Sequence, residues 1–117
     1  MIKTKRVYDP SAPSDGRRFL VERLWPRGVK KEVLKLDAWL KDAAPSMELR
    51  KWFKHDPAKW KEFQHRYEAE LQARPEAWQP ILKADATGTV TLLFSSHDAE
   101  HKNVVALKAF LAKRRKR

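Results

Sequence analysis

The apolar positions of this chain change period several times along its length. Residues 3–8 (KTKRVY) mix charged, β-branched and aromatic side chains with the alternation of a half-buried strand, and Asp9-Pro10 opens a polar loop that runs to Gly16. Residues 18–24 read as a second strand. Phe19, Leu20 and Val21 are consecutively apolar, which suits a strand covered on both faces, and Pro26 and Gly28 place its end near Leu24 or Trp25. Over residues 30–40 two periods compete: Val33, Leu34 and Ala38 fit a helix while Leu36, Ala38 and Leu40 alternate, so a short helix followed by a short strand is expected.

Helical spacing then takes over. Ala44-Pro45 breaks the chain and Ser46 is an N-cap for a helix over residues 47–53. Asp56 caps the next one with Pro57 in its first turn, and Trp60, Phe63, Tyr67 and Leu71 step along one face by three or four residues, with Glu62 and Arg66 paired four apart. Pro75 opens a further short helix with Trp78, Ile81 and Leu82, which Pro80 bends or interrupts. Asp85 to Gly88 turns into TVTLLF, residues 89–94, the strongest strand pattern and a central one, and a closing helix follows over residues 99–113, capped by Asp98 and built on Val104, Leu107, Phe110 and Leu111. Strands separated by helices imply parallel pairing, so the pattern predicts a compact three-layer α/β domain, a small mainly parallel sheet flanked by helices, over residues 1–112.

Charge adds a partner to this picture. The 117 residues carry a formal net charge of +11, and five of the positive charges stand together on Lys113, Arg114, Arg115, Lys116 and Arg117, a basic C-terminal tail. Such an excess favours anionic partners by raising encounter rates and weak binding. The tail itself supports two readings, a solvated end or a nucleic-acid contact. A chain of this length buries about two thirds of its unfolded surface, and without cysteine it forms no disulfide, thiolate nucleophile or cysteine-ligated zinc site. The charged start MIKTKRVYDP lacks the apolar core of a signal peptide and no segment reaches the roughly 20 apolar residues of a membrane span, so a cytoplasmic protein without membrane contact is expected.

In an open parallel sheet, ligands sit at the carboxyl ends of the strands. Two loops occupy that edge: residues 23–28 after the second strand and residues 95–103 after TVTLLF. If their strands are neighbours, Arg23, Arg27 and Trp25 face Ser95, Ser96, His97, Asp98, His101 and Asn103 across one cleft. Arginine suits phosphate or carboxylate there, because its planar fork binds them through paired hydrogen bonds and stays charged. The structural alternative pairs Arg23 with Glu22, Asp9 or Asp15. Proton transfer has weak candidates in Glu22 and His101. Ser95 and Ser96 could supply a nucleophile or hydroxyl donors to phosphate, but no G-x-S-x-G elbow surrounds them and strand-end hydrogen bonding and helix capping are the favoured roles. His97 and His101 are four apart, but without further ligands no metal site is assigned. Of the tryptophans, Trp60 and Trp78 fall on core stripes while Trp25 and Trp52, beside basic residues, are the candidates for stacking. Only Gly16, Gly28 and Gly88 are present, so neither a dinucleotide fingerprint nor a P-loop exists and no cofactor is assigned.

KRVYDP (5–10), DGRRFLVERLWPRG (15–28), LDAWLKDAAPSMELRKWF (36–53) and VTLLFSS (90–96) together resemble the DUF488 family, in its YeaO-like branch of small bacterial proteins. The likeness runs from Lys5 to Leu111 and rests on the L-W-P-R-G and A-P-S-x-E-L-R segments. It implies an α/β domain of unknown activity, with Glu22, Arg23, Pro26 and Arg27 matching the acidic residue, arginine and proline that end the corresponding strand. Some members carry a uroporphyrin-III methyltransferase label; this chain lacks the glycine-rich turn that would cradle a methyl donor. Where that branch has Asn-His-Ala early in the last helix, this chain reads Lys102-Asn103-Val104, so a catalytic histidine there depends on His101 substituting from next door.

Three function classes follow. The leading one is binding of an anionic ligand, a nucleotide or nucleic-acid phosphate, through an arginine-lined cleft at the strand ends. The second is a hydrolase or transferase using the same cleft, and the third an interaction module tethered by its basic tail. Oligomeric state is not readable from the chain.

Overall fold

A computed structural model describes residues 1–54, 56–95 and 98–115, with residues 98–100 described by their backbone. Four strands, β1 (Ile2–Arg6), β2 (Arg17–Leu20), β3 (Ala38–Trp39) and β4 (Val90–Phe94), form one sheet in the order β1-β4-β2-β3, with every neighbouring pair parallel. Five α-helices accompany it: α1 (Lys31–Leu34), α2 (Met47–Phe53), α3 (Trp60–Ala73), α4 (Gln79–Asp85) and α5 (Asp98–Arg114). The α/β architecture read from the pattern is the architecture present. The strand from the far end of the sequence enters last, between β1 and β2, and it is the central and wholly buried one.

Alternation along β4 divides the core. Val90, Leu92 and Phe94 face the main helical layer, where they meet Ile2 and Phe19 from the flanking strands and Phe53, Phe63, Tyr67, Ile81, Leu107 and Phe110 from α2 to α5. Phe63 stacks on Phe53 with ring centroids 4.3 Å apart and on Trp60 at 5.6 Å, which locks α2 against the aromatic stripe of α3. Leu93 faces the other way, onto a small cluster with Val7, Leu20 and Leu34 that Trp25, Val29, Leu36 and Trp39 cover. The third layer is thus one turn of helix and two loops, much thinner than the four helices opposite.

Local signals explain most boundaries. The Ser46 hydroxyl accepts from the Leu49 N–H at 3.1 Å and caps α2, while Asp56 accepts from the Ala58 N–H at 3.0 Å at the head of a single 3₁₀ turn that leads into α3. Pro75 and Pro80 each fall at the start of a separate short element, a 3₁₀ turn and α4, so the expected single helix is two. The Asp98 side chain, expected as a cap, lies outside the described residues. One boundary differs more. The second strand stops at Leu20 instead of near Leu24 or Trp25, because after the Val21 N–H reaches the Leu93 carbonyl the ladder partners are replaced: Glu22 turns its carboxylate to the Ser95 N–H, and the Trp39 indole N–H takes the Glu22 carbonyl at 2.7 Å.

Gly16 is required at the entry to β2. Its φ of +64° favours glycine, and a Cβ there would stand 2.1 Å from the Thr89 carbonyl oxygen, which accepts the Arg17 N–H. Gly16→Ala is therefore expected to cost on the order of 3 kcal/mol and to lower the melting temperature by about 10 °C. Lys54 ends α2 at φ +45°, a conformation that penalises any side chain; Lys54→Gly should stabilise the fold by about 0.5 kcal/mol in a urea titration.

Candidate functional site

The arginines of residues 17–27 meet four different fates. Arg17 is exposed. Arg18, one residue on, is buried on the thin-layer face: its Nη1 lies 2.5 Å from Asp15 Oδ2, and its Nε and Nη2 donate to the Leu34 carbonyl at 3.0 and 2.8 Å. Asp15 also accepts from Lys5 Nζ at 2.9 Å and from the Ala12 N–H at 3.0 Å, while its carbonyl takes the Thr91 hydroxyl at 2.8 Å. Burial pushes the Asp15 carboxyl up, but the hydrogen bonds from Lys5, Ala12 and Arg18 outweigh it and hold the group below the usual carboxylate range.

Arg23 finds its described partners in the turn before α2. Its guanidinium donates to the Pro45 and Ala44 carbonyls at 3.2 and 2.9 Å and to Asp42 at 3.1 Å, a partner none of the sequence alternatives included. Those carbonyls belong to the turn before α2, where the Ala44 N–H already goes to the Lys41 carbonyl and Pro45 has no N–H to give. A hollow of about 290 Å³ lies beside this contact, lined by Arg23, Asp42, Ser46, Glu48, Glu70 and Arg74. Three carboxylates against two guanidinium groups make it a poor seat for an anion.

Glu22, not Arg23, meets the β4 end. It is buried, and its carboxylate accepts the Ser95 N–H. The Ser95 hydroxyl is buried and has no hydrogen-bond partner among the described residues. Asn103 is buried in α5, and His101 is exposed with its ring 5.4 Å from Phe94. Ser96 and His97 lie outside the described residues. Trp25 is half-buried; its indole N–H donates to the Val29 carbonyl at 2.7 Å and its ring meets Trp39 edge-on at 5.3 Å, so the expected stacking face covers the small core instead. Trp52 lies between two cations, Lys59 at 5.0 Å and Arg66 at 4.2 Å from its ring.

Arg27 is the fourth fate. It is exposed, and its guanidinium has no partner among the described residues; the same holds for the ammonium groups of Lys30, Lys31 and Lys35, with Glu32 the one acid in that stretch. Its carbonyl accepts the Tyr8 hydroxyl at 3.2 Å, which ties the loop after β2 to the loop after β1. Between the two loops opens a hollow of about 380 Å³, with Val7, Tyr8, Asp9, Gly28, Lys30 and Val33 in its wall. Sequence reasoning missed Tyr8 and Lys30; an aromatic residue just past a strand end, followed by Asp-Pro, was the available signal for the first.

At the other end of α5, Lys113 pairs with Glu68 at 3.1 Å, Arg114 lies 3.8 Å over the Phe110 ring and Arg115 reaches Asp85 at 2.7 Å. Among the described residues no helix is long and apolar enough to cross a membrane.

A four-stranded parallel sheet with helices on both faces and a crevice at its carboxyl edge is a small α/β domain of the open-sheet type. A family model described as "Inactive DUF488-N3 subclade" matches residues 1–117, and the chain belongs to that family. It is 40% identical over 110 residues to "Uncharacterized protein YeaO" of Escherichia coli (strain K12), covering 94% of this chain and 96% of the relative. It is 46% identical over 70 residues to "Uncharacterized protein Rv3073c" of Mycobacterium tuberculosis (strain ATCC 25618 / H37Rv), where the match covers 60% of this chain and 59% of the relative. No solved structure matches.

The Asp15 cluster has a pH signature. With the folded value below the unfolded one, the stability it contributes is fully present above about pH 4 and is lost as pH falls through the lower folded value. Asp15→Asn, which leaves Arg18 buried without a carboxylate, should cost about 3 kcal/mol at pH 7. In urea titrations that gap should narrow below pH 4; a gap independent of pH would remove the ion pair from the account.

Proposed function

We propose that the protein is a binding protein for a phosphate-bearing anion, held beside the strand carboxyl ends by Arg27 and Lys30, with Lys31 and Lys35 farther along the same segment. The observation that carries this reading is one short segment with four cations that have no partner among the described residues, of which Lys30 lines a hollow at the sheet edge, where a ligand reaches side chains that the ladder does not use. Arg18, Arg23 and Arg115 are each neutralised by a carboxylate of the fold. Segment 27–35 places four cations without described partners within nine residues that hold one acid, Glu32, so their fields add locally.

Binding is favoured over catalysis for two reasons. Neither Glu22, buried on the Ser95 N–H, nor His101, exposed beside Phe94, lines the hollow; a general base must lie within hydrogen-bond reach of the substrate proton. The family's description as inactive agrees. The basic end of α5 is a weaker anchor, since Lys113, Arg114 and Arg115 already contact the fold.

The test is a titration of ¹⁵N-labelled protein with inorganic polyphosphate. Amide shifts are expected in residues 27–35 and at Tyr8, and the triple change Arg27→Ala, Lys30→Ala, Lys31→Ala should weaken binding about tenfold or more at low salt and lower the slope of log affinity against log salt. Shifts confined to the hollow of Arg23 and Arg74, or an unchanged affinity in the triple variant, would overturn the reading.

A further inference from the structure

Resting on that reading, we infer that the anion is single-stranded nucleic acid, with a base stacked on Tyr8 and its phosphates on Arg27 and Lys30. Tyr8 is 53% exposed and is the one Trp, Tyr or Phe among the exposed large apolar residues described. It follows β1 by two residues, and its hydroxyl, donated to the Arg27 carbonyl, holds the ring at the wall of the hollow. Val33 lines the same hollow and is 65% exposed, an apolar surface with no internal use.

The other large rings are spent within the protein. Trp25 packs on Trp39, Phe53 and Trp60 stack on Phe63, and Trp78 meets Phe110 edge-on at 5.2 Å. Trp52 already has Lys59 and Arg66 over its ring, so the most exposed Trp, Tyr or Phe ring described lies beside Arg27 and Lys30, which have no partner among the described residues. A base needs such a face and its phosphates need such cations, and stacking tolerates any base.

Two other phosphate-rich ligands match less of this surface. A duplex keeps its bases stacked inside, so it would engage the cations and leave Tyr8 and Val33 bare; reading its groove also takes a projecting helix or ribbon, and α1 is a single turn. A free mononucleotide satisfies one or two cations, whereas Arg27, Lys30, Lys31 and Lys35 extend along nine residues of chain. A strand with several phosphates uses both features at once.

The experiment is fluorescence anisotropy of the full chain with labelled (dT)12, (U)12 and a 12-base-pair duplex, the two homopolymers telling DNA from RNA. Single strands should bind about tenfold more tightly than the duplex. Tyr8→Ala should weaken single-strand binding about tenfold, several times more than it weakens duplex or polyphosphate binding, and Tyr8→Phe should keep most of the single-strand affinity; a melting curve confirms that each variant is folded. Equal binding of (dT)12 and (U)12 by the wild type and a folded Tyr8→Ala, or preference for the duplex, overturns this inference. Polyphosphate shifts at residues 27–35 would then leave the broader reading standing, and their absence removes both.

Discussion

A charge placed beneath a sheet organises this fold. Arg18 projects from β2 into the thin layer, where an unpaired guanidinium would be prohibitive, and the chain around it is arranged to complete its hydrogen bonds. The 3₁₀ turn before Gly16 supplies Asp15, and α1 ends where the Leu34 carbonyl can accept two of the guanidinium N–H groups. Lys5 from β1 and Thr91 from β4 close on the same aspartate, so one residue gathers contacts from three strands. The interaction specifies which strands lie side by side on that face and where the connection between β1 and β2 must run, which non-directional apolar packing alone would leave looser.

Much of the architecture was legible because it rests on local rules. Ser46 and Asp56 are caps recognisable at sight, and the stripe Trp60, Phe63, Tyr67, Leu71 has a helical period no strand could use. The apolar density of residues 90–94 marked a central strand correctly. The end of β2 was not legible, because it is decided by Glu22 and Trp39, two side chains that take over the ladder's work from positions distant in sequence.

The candidate site was legible in place but not in membership. The sheet edge follows from strand order, yet nothing in DGRRFLVERLWPRG distinguishes an arginine that binds its own main chain from one left to solvent. Arg23 goes to the turn before α2 because that turn has acceptor carbonyls to satisfy, a fact of tertiary structure. Arg27 is exposed and has no partner among the described residues, beside a turn where Gly28 takes φ +78°. Tyr8 escaped notice for the opposite reason: its strand pattern suggested a half-buried core residue, and only the loop geometry carries it to the surface.

The unequal cladding of the sheet has a kinetic corollary. Four helices hold one face through more than twenty buried side chains, whereas the other relies on four, roofed by loops. Free energies of local opening track such differences, so the roof should lift many times for each global unfolding event. A molecule built this way can loosen around an incoming chain on its thin side while the helical side keeps the strands in register.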